Sequence, residues 1–134
     1  MIVFCSEIPH AQSFKHLYDT TNWGPVERDT GYYAAALRGS WASVAAYDDD
    51  RLVAFARAIS DGKLHAFITE MIVHPEYQRR RLGEQLLKRL VDRCHASGVT
   101  DIQLLCAQGK ADFYLKNGFS RRSDDAPGMQ YSGA

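Results

Sequence analysis

The apolar positions near the start of the chain recur at the spacing of one helix face. In the segment AQSFKHLYDTTNW they are Ala11, Phe14, Leu17 and Tyr18. A short apolar stretch, Ile2–Cys5, comes before this segment. A second helix is predicted over residues 29–37, and Gly39 gives it a stop signal. The first 40 residues therefore predict two helices after a short apolar start.

After Gly39 the pattern changes to the two-residue period of strands. The segments WASVAAY and RLVAFARAIS flank the turn sequence DDD, which indicates a β-hairpin. The sequence SDGK then makes a second turn into LHAFITEMIV. Three consecutive strands in meander order are predicted, and the last of them ends at Val73 and His74, before Pro75.

Helical spacing returns at Leu82 and continues to Gly98, which can close the helix. The segment TDIQLLC predicts a buried strand, KADFYLKNGF a short helix that ends at Gly118, and GMQYS a final strand. This order predicts an α/β (α+β) fold, with a mixed, mostly antiparallel central sheet flanked by helices on both faces. At 134 residues the chain has the length of a single domain, residues 1–134.

Composition narrows the class of function. Sixteen basic residues balance sixteen acidic ones, so no overall field favours nucleic acid or an anionic membrane as a partner. The three cysteines form no CxxC pair and the five histidines lack metal-ligand spacing, so neither a disulfide framework nor a bound metal is predicted. The chain shows no signal-peptide pattern and no apolar run as long as a membrane span. A soluble, cytoplasmic protein is expected.

Three consecutive arginines stand out in the segment QRRRLGEQ. The cluster lies where a strand turns into a helix, and Gly83 there allows a ligand close to the backbone. Backbone N–H groups at a helix start attract anions, and arginines add bidentate phosphate contacts. The segment has neither the GxxxxGK nor the GxGxxG pattern. It predicts a local polyphosphate site, with a solvated basic turn as the alternative.

The turn resembles a known family signature, Gln/Arg-x-x-Gly-x-Gly/Ala. Its six positions are filled here by Gln78, Arg79, Arg80, Arg81, Leu82 and Gly83. MIVHPEYQ before the turn and FYLKNGF after it are also similar to segments of that family, the GNAT superfamily of acyl-coenzyme A dependent N-acyltransferases. The resemblance extends over residues 40–119. Arg81 departs from the signature, since a glycine is usual in its place.

The resemblance implies that acetyl-coenzyme A is the cosubstrate. Its pantetheine arm is expected along the strand end at Met71, Ile72 and Val73. Its pyrophosphate is expected on the turn formed by Gln78, Arg79, Arg80, Arg81, Leu82, Gly83 and Glu84. The family often has an asparagine where this chain has Ala107, so Gln108 is the candidate for that coenzyme contact.

Two residues are candidates for proton transfer. An alkylammonium has a pKa of about 10, so acyl transfer to an amine needs a base, and the resemblance points to Glu70. Tyr114 matches the family tyrosine near the thioester sulfur and is the candidate general acid for the leaving thiolate. The N–H of Ile72 is the predicted donor to the oxyanion. As alternatives, Glu70 pairs with a basic residue and Tyr114 only packs.

The sequence thus predicts an N-acetyltransferase that moves the acetyl group of acetyl-coenzyme A to the primary amine of a small molecule by direct attack. Acceptor recognition is expected in residues 18–37 and in a hairpin over residues 121–131. Candidates for an aromatic wall are Trp23, Tyr32 and Tyr33. Candidates for attracting a cationic amine are Asp19, Glu27 and Asp29.

Three other hypotheses stay open at this point. The acceptor is a protein N-terminus or lysine side chain, or the chain is a non-catalytic acyl-coenzyme A binding module. Nucleic-acid binding through the arginines is disfavoured, because the cluster is local and the net charge is zero. The resemblance also allows a homodimer.

Overall fold

The computed structural model describes residues 1–133, which form two compact units. The first unit, Met1–Leu104, contains a β-sheet and three α-helices. The second begins at Leu105 and contains one short α-helix within its described part. That residues 1–134 form one domain stays a prediction.

The sheet of the first unit has its strands in the order of the chain. They are β1 (Ile2–Cys5), β2 (Ala42–Asp48), β3 (Arg51–Ser60), β4 (His65–Val73) and β5 (Asp101–Leu104). The strands from β1 to β4 pair antiparallel with their neighbours, whereas β5 runs parallel to β4. The predicted meander and the mixed, mostly antiparallel sheet are confirmed.

The helices lie close to where the apolar spacing predicted them. They are α1 (Ala11–Tyr18), α2 (Thr30–Leu37) and α3 (Leu82–Ala96) in the first unit and α4 (Ala111–Lys116) in the second. α2 begins after Asp29 because this residue is its N-cap, with a carboxylate oxygen that accepts from the Tyr32 N–H at 3.0 Å. Short 3-10 turns occur at Asp19–Thr21 and Pro75–Tyr77.

Helices cover the sheet on both faces. α1 and α2 bury one apolar cluster, in which the rings of Phe14 and Phe55 meet edge to face with centroids 5.1 Å apart. α3 packs on β2, β3 and β4, beside a separate cluster that includes Ala66 and Cys94. Leu86 of α3 is completely buried. The core therefore lies in two layers, one on each face of the sheet.

One extra residue in β4 interrupts its pairing with β3. Arg57 lies opposite Thr69 but Phe55 lies opposite Ile72, so β4 takes three steps where β3 takes two. Glu70 lies in this bulge with a φ of +51°. A bulge of this kind reverses the face on which later side chains of the strand lie. Ile72 therefore packs into the α1–α2 cluster.

Two of the strand predictions are wrong in part or in whole. TDIQLLC forms β5, but β5 is an edge strand and Gln103 on it is exposed rather than buried. GMQYS forms no strand, and residues 121–131 form no hairpin; a turn brings the Ala126 N–H to the Ser123 carbonyl at 3.0 Å instead. These residues are exposed and include Pro127 and Gly128, so the segment lacks both a buried face and a continuous set of ladder donors.

Leu86→Ala is expected to lower the free energy of unfolding by about 2–5 kcal/mol, because it leaves a cavity between α3 and the sheet. Leu64→Ala is the matched control. Leu64 is 67% exposed, and its truncation should change the stability by less than about 0.5 kcal/mol. Urea unfolding followed by circular dichroism measures both variants, and equal losses would contradict this account of the core.

Candidate active site

β4 separates from β5 partway along its length. The parallel pairing runs from His65 opposite Asp101 to Ile68 opposite Leu104. Beyond that point, residues 69–73 of β4 have no strand on this edge among residues 1–133. An extended ligand can therefore bind to their backbone as an added strand would.

The ladder with β3 decides which backbone groups point to this open edge. The His74 N–H donates to the Val53 carbonyl at 2.8 Å and so continues the ladder past the end of β4. Because bonded residues alternate in an antiparallel pair, the N–H and C=O of Ile72 face β3, and those of Val73 face the open edge. The prediction that Ile72 donates to the oxyanion and contacts pantetheine through its backbone is therefore wrong.

Gln78 lies at the end of the open edge. Its Nε2 donates to the Val73 carbonyl at 3.1 Å, across the turn that follows β4. This hydrogen bond uses the side chain that the sequence assigned to the pyrophosphate. It also occupies the Val73 carbonyl, so the Val73 N–H is the group that this residue offers to a ligand.

An ion pair holds Glu70 on the face of the sheet that α1 and α2 cover. Glu70 Oε1 accepts from Arg57 Nε at 2.8 Å, and the two side chains are only 20% and 12% exposed. Arg57 Nη1 also donates to the Ala36 carbonyl at 2.8 Å, near the end of α2. The pairing of Glu70 with a basic residue is thus present, and its action as a base stays a prediction.

Aromatic side chains from α1, α2 and the loop between them form a group around Tyr18, whose phenol lies near Glu70. The ring centroid of Tyr18 is 5.1 Å from that of Tyr33 and 6.1 Å from that of Trp23. Burial raises the pKa of the Tyr18 phenol, and the negative charge of Glu70 raises it further. Tyr33 is only 2% exposed and belongs to the core, whereas Trp23 and Tyr32 are 47% and 54% exposed. Trp23 and Tyr32 are thus the predicted wall residues that a ligand can reach.

Two of the three acidic residues of this region have structural partners. Asp19 Oδ2 accepts from Lys15 Nζ at 2.7 Å, and Asp29 caps α2. Lys15 Nζ also donates to the Val26 carbonyl at 2.7 Å, which fastens the α1–α2 loop to α1. Only Glu27, of the three, is exposed without such a partner in the described chain. Attraction of an amine by these carboxylates therefore stays a prediction.

The arginine turn has a left-handed backbone at two positions. The φ angle is +67° at Arg79 and +61° at Arg81. Arg81 thus adopts the conformation that glycine adopts most easily, which is the residue usual in its place. Its side chain is 85% exposed, with Nε 4.0 Å from Glu84 Oε2. The arginine therefore preserves the path of the turn and directs its side chain outward.

The turn leads into the start of α3, where backbone N–H groups are available to a ligand. Arg81 is the N-cap residue, and its side chain makes no capping hydrogen bond. The amides of Leu82, Gly83 and Glu84 have no acceptor within the helix. The Leu82 side chain is only 3% exposed, so this residue offers its backbone alone. Three such amides beside three arginines can bind a phosphate group.

Tyr77 anchors the turn to the sheet. Its hydroxyl donates to Asp48 Oδ2 at 2.6 Å, and this hydrogen bond lowers the pKa of the Asp48 carboxyl. The Arg80 guanidinium lies over the Tyr77 ring, 4.8 Å from its centroid. Arg79 and Arg80 are both exposed, but Arg80 also contacts the Tyr77 ring.

The second unit contains the remaining predicted residues. Tyr114 lies on α4, and its ring centroid is 5.0 Å from that of Phe113 and 5.9 Å from that of Phe119. Burial raises the pKa of its phenol above the ordinary value of 10.0, and the Cys106 thiol raises it further. The phenol therefore stays protonated at neutral pH. Gln108 is exposed in the loop before α4.

Comparison with protein families gives this arrangement its context. The model of the acetyltransferase (GNAT) family matches residues 9–119. The chain belongs to the GNAT acetyltransferase family. This membership confirms the predicted class of enzyme, an acetyl-coenzyme A dependent N-acetyltransferase.

Individual GNAT proteins resemble the chain in sequence or in fold. An uncharacterised N-acetyltransferase of Pyropia yezoensis, ycf52, is 29% identical over 119 residues, which cover 86% of this chain and 67% of that protein. Serotonin N-acetyltransferase 2, chloroplastic, of Oryza sativa subsp. japonica is 36% identical over 81 residues, or 60% of this chain and 40% of that protein. The structure of a probable acetyltransferase from meticillin-resistant Staphylococcus aureus has the same fold, with a TM-score of 0.86 at 21% identity over 99% of this chain and 100% of that one.

No helix within residues 1–133 is long and apolar enough to cross a bilayer. The same part of the chain contains no group of three or more His, Cys, Asp or Glu side chains that could hold a metal ion. The rice GNAT relative is chloroplastic by name, so a cytoplasmic location stays a prediction for this one.

Two residues of this region, Arg57 and Arg28, were not predicted from the sequence. Arg57 had a signal, because it is a lone charge in the middle of the apolar strand RLVAFARAIS and such a charge needs a buried partner. Arg28 had none, because its loop shows no periodicity. Its guanidinium carbon lies 4.6 Å from the centroid of the Tyr32 ring.

Arg81→Gly is expected to raise the free energy of unfolding by about 0.5–1 kcal/mol. Glycine adopts the left-handed conformation of this position without strain, and this gain exceeds the loss that glycine causes by making the unfolded chain more flexible. Arg80→Gly is the matched control and should lower it by about 1 kcal/mol, because it removes the contact with Tyr77 and adds flexibility. Urea unfolding of both variants decides the matter. A loss of stability in Arg81→Gly as large as that in Arg80→Gly would refute it.

Proposed function

We propose that this GNAT protein transfers the acetyl group of acetyl-coenzyme A to the primary amine of a small molecule, by direct attack on the thioester. The observation that carries the proposal is the open edge of β4 over residues 69–73. The anion-binding turn follows one end of this edge, and Glu70 with its neighbouring aromatic rings lies at the other. Such an edge can align a thioester with an amine and so lower the entropic cost of their reaction.

In this proposal the coenzyme binds mainly to backbone groups. The pantetheine arm pairs with the Val73 N–H and with Met71, and Gln108 adds a further contact. Met71 replaces Ile72 as the donor to the oxyanion, because it lies in the bulge between the residues that bond to β3. The pyrophosphate takes the amides and side chains of the turn, namely Arg79, Arg80, Arg81, Leu82, Gly83 and Glu84.

Two proton transfers complete the proposed reaction. Glu70 takes a proton from the acceptor ammonium, directly or through water, with Arg57 fixing the position of its carboxylate. Its Oε2 accepts no hydrogen bond within residues 1–133, so this oxygen can receive the proton. Tyr114 gives a proton to the leaving thiolate. Its raised pKa keeps the phenol protonated, at some cost in acid strength.

A small aromatic amine is the acceptor that the exposed rings favour. Trp23 and Tyr32 present exposed aromatic surface beside Tyr18 and Tyr33, and stacking on such surface suits an arylalkylamine. The name of the rice relative, a serotonin N-acetyltransferase, gives the same class of acceptor for that protein and supports the proposal here.

A panel of acceptors with acetyl-coenzyme A tests the proposal through release of free thiol. Arylalkylamines should turn over faster than alkylamines, peptide N-termini and lysine-containing peptides. Turnover of peptides alone would make the chain a protein acetyltransferase. Coenzyme binding with no turnover of any acceptor would make it a non-catalytic binding module.

Tyr114→Phe is expected to lower kcat by about 100-fold or more, because it removes the proton for the leaving thiolate. The dissociation constant for coenzyme A should stay within about threefold, since the ring remains in place. Tyr131→Phe is the matched control, because Tyr131 is 86% exposed, and it should retain full activity. Equal kcat values in the two variants would remove Tyr114 from the reaction.

A further inference from the structure

β1 leaves one side of its backbone open at the edge of the sheet. It is the first strand in the order of the sheet, and it pairs only with β2 within residues 1–133. Its residues, Ile2–Cys5, carry no charged side chain, and Val3 is 56% exposed. An uncharged edge strand is a template for a further strand unless nearby charges oppose the pairing. The groups beside β1 therefore decide which strand can pair with it.

Two arginines of α3 lie in a groove beside this edge. The guanidinium carbon of Arg89 is 4.2 Å from the centroid of the Phe4 ring, and that of Arg93 is 4.4 Å from the centroid of the Trp41 ring. The groove is also lined by Cys5, Ser6, Ala42 and Val44. Cation–π contacts of this kind attract the guanidinium groups to the rings. Both cations are therefore placed along the groove.

These two cations have no acidic partner in the described part of the chain. Asp92, which lies between them on α3, pairs with Lys88 at 2.8 Å. Glu7 is exposed beyond the end of β1, and its carboxylate is not among the groups that line the groove. The lining residues of the described chain include no aspartate or glutamate. The groove thus has a positive charge that an anionic partner can neutralise.

The groove follows the direction of β1. Arg89 lies beside Phe4 in the strand, and Arg93 lies beside Trp41, which precedes β2. The chain after β1 stays close to this part of β2, because the Ser6 carbonyl accepts from Ser43 Oγ at 3.3 Å. A segment that extended the sheet at β1 would therefore pass Arg89 and then Arg93.

The spacing of the two arginines fits an extended segment. Arg89 and Arg93 are four residues apart on α3, which corresponds to about 6 Å along the helix axis. Side chains two residues apart in a strand lie on the same face, about 6.6 Å from each other. Adjacent side chains of a strand point to opposite faces. Two acidic residues with one residue between them therefore match the two arginines, and two adjacent acidic residues do not.

We propose that the edge of β1 binds an extended acidic segment of a partner protein as an added strand, with Arg89 and Arg93 binding two of its carboxylates. Main-chain hydrogen bonds supply affinity in this mode of recognition, and side chains supply specificity. A second copy fits less well, because pairing of two β1 strands would place both pairs of arginines on the same face of the joined sheet. The proposal is independent of the acceptor and of the acetyl transfer.

Three peptides of seven residues test the proposal by fluorescence. Trp41 lies in the groove, so in a Trp23→Phe background its emission reports on binding. The first peptide, acetyl-Ser-Val-Glu-Val-Glu-Val-Ser-amide, should give a saturable change. A second with the two glutamates adjacent should bind at least about fivefold more weakly, and a third with glutamines in their place about tenfold more weakly. No saturable change with the first peptide, or equal affinity for the first two, would overturn the proposal.

Variants of α3 separate the two arginines from the general charge of the helix. Arg89→Gln and Arg93→Gln should each weaken binding of the first peptide by about threefold, and the double variant by about tenfold. Lys88→Gln is the matched control, because it removes the same charge from an exposed residue of the same helix, and it should bind like the wild type. Equal weakening in the three single variants would overturn the assignment to Arg89 and Arg93.

Strand addition itself is tested with a methylated peptide. Successive N–H groups of a strand point to opposite edges, so methylating the central valine and the glutamate after it blocks one donor to β1. This peptide should bind at least about tenfold more weakly than the first, and equal affinity would overturn strand addition. The first peptide should also leave the sedimentation coefficient of the protein that of the same oligomer. Dissociation of a dimer by the peptide would assign the edge to a second copy and overturn the proposal.

Discussion

The bulge at Glu70 in β4 is the constraint on which the rest of the site depends. One inserted residue moves Ile72 to the α1–α2 face, where it completes the core, and leaves Glu70 on that face as well. A left-handed residue other than glycine costs roughly 1–2 kcal/mol, so the surrounding structure must compensate it. The ion pair with Arg57 does so, and through Ala36 it connects the bulge to the end of α2. The position of the proposed base is therefore set jointly by β3, β4 and α2.

The arginine turn shows how a local excess of charge becomes compatible with a helix N-terminus. Three cations lie beside the positive end of the α3 dipole, and this arrangement is electrostatically unfavourable. Since the net charge of the chain is zero, no overall negative field offsets it. All three arginines are exposed to solvent that screens them, and Arg80 is also stabilised by the Tyr77 ring. A bound polyphosphate reverses the sign of the local field, so the same arginines then stabilise the complex.

The elements of this fold were readable from the sequence because their periodicities are strong and their turns carry the expected residues. The bulge could not be predicted from the sequence, because ITEMIV has the pattern of a continuous strand. Only the pairing with β3 shows where the extra residue lies. The error on Ile72 follows directly, because one residue of register exchanges the two edges of a strand. The predicted strand GMQYS failed for another reason: its pattern fits a strand, but no neighbouring strand pairs with it in the described chain. Arg28 could not be predicted, because contacts within a loop produce no periodic pattern in the sequence.

The two halves of the proposed site use different chemistry, and this difference explains which half the sequence could reveal. The coenzyme half depends on backbone amides at the open edge of β4 and at the start of α3. It therefore requires a particular backbone conformation rather than particular side chains. Arg81 can therefore occupy a glycine position without changing that path. The acceptor half depends on side chains that converge from α1, α2, their loop and β4. Its chemistry can change through single residues such as Arg28, while the fold and the coenzyme half stay the same.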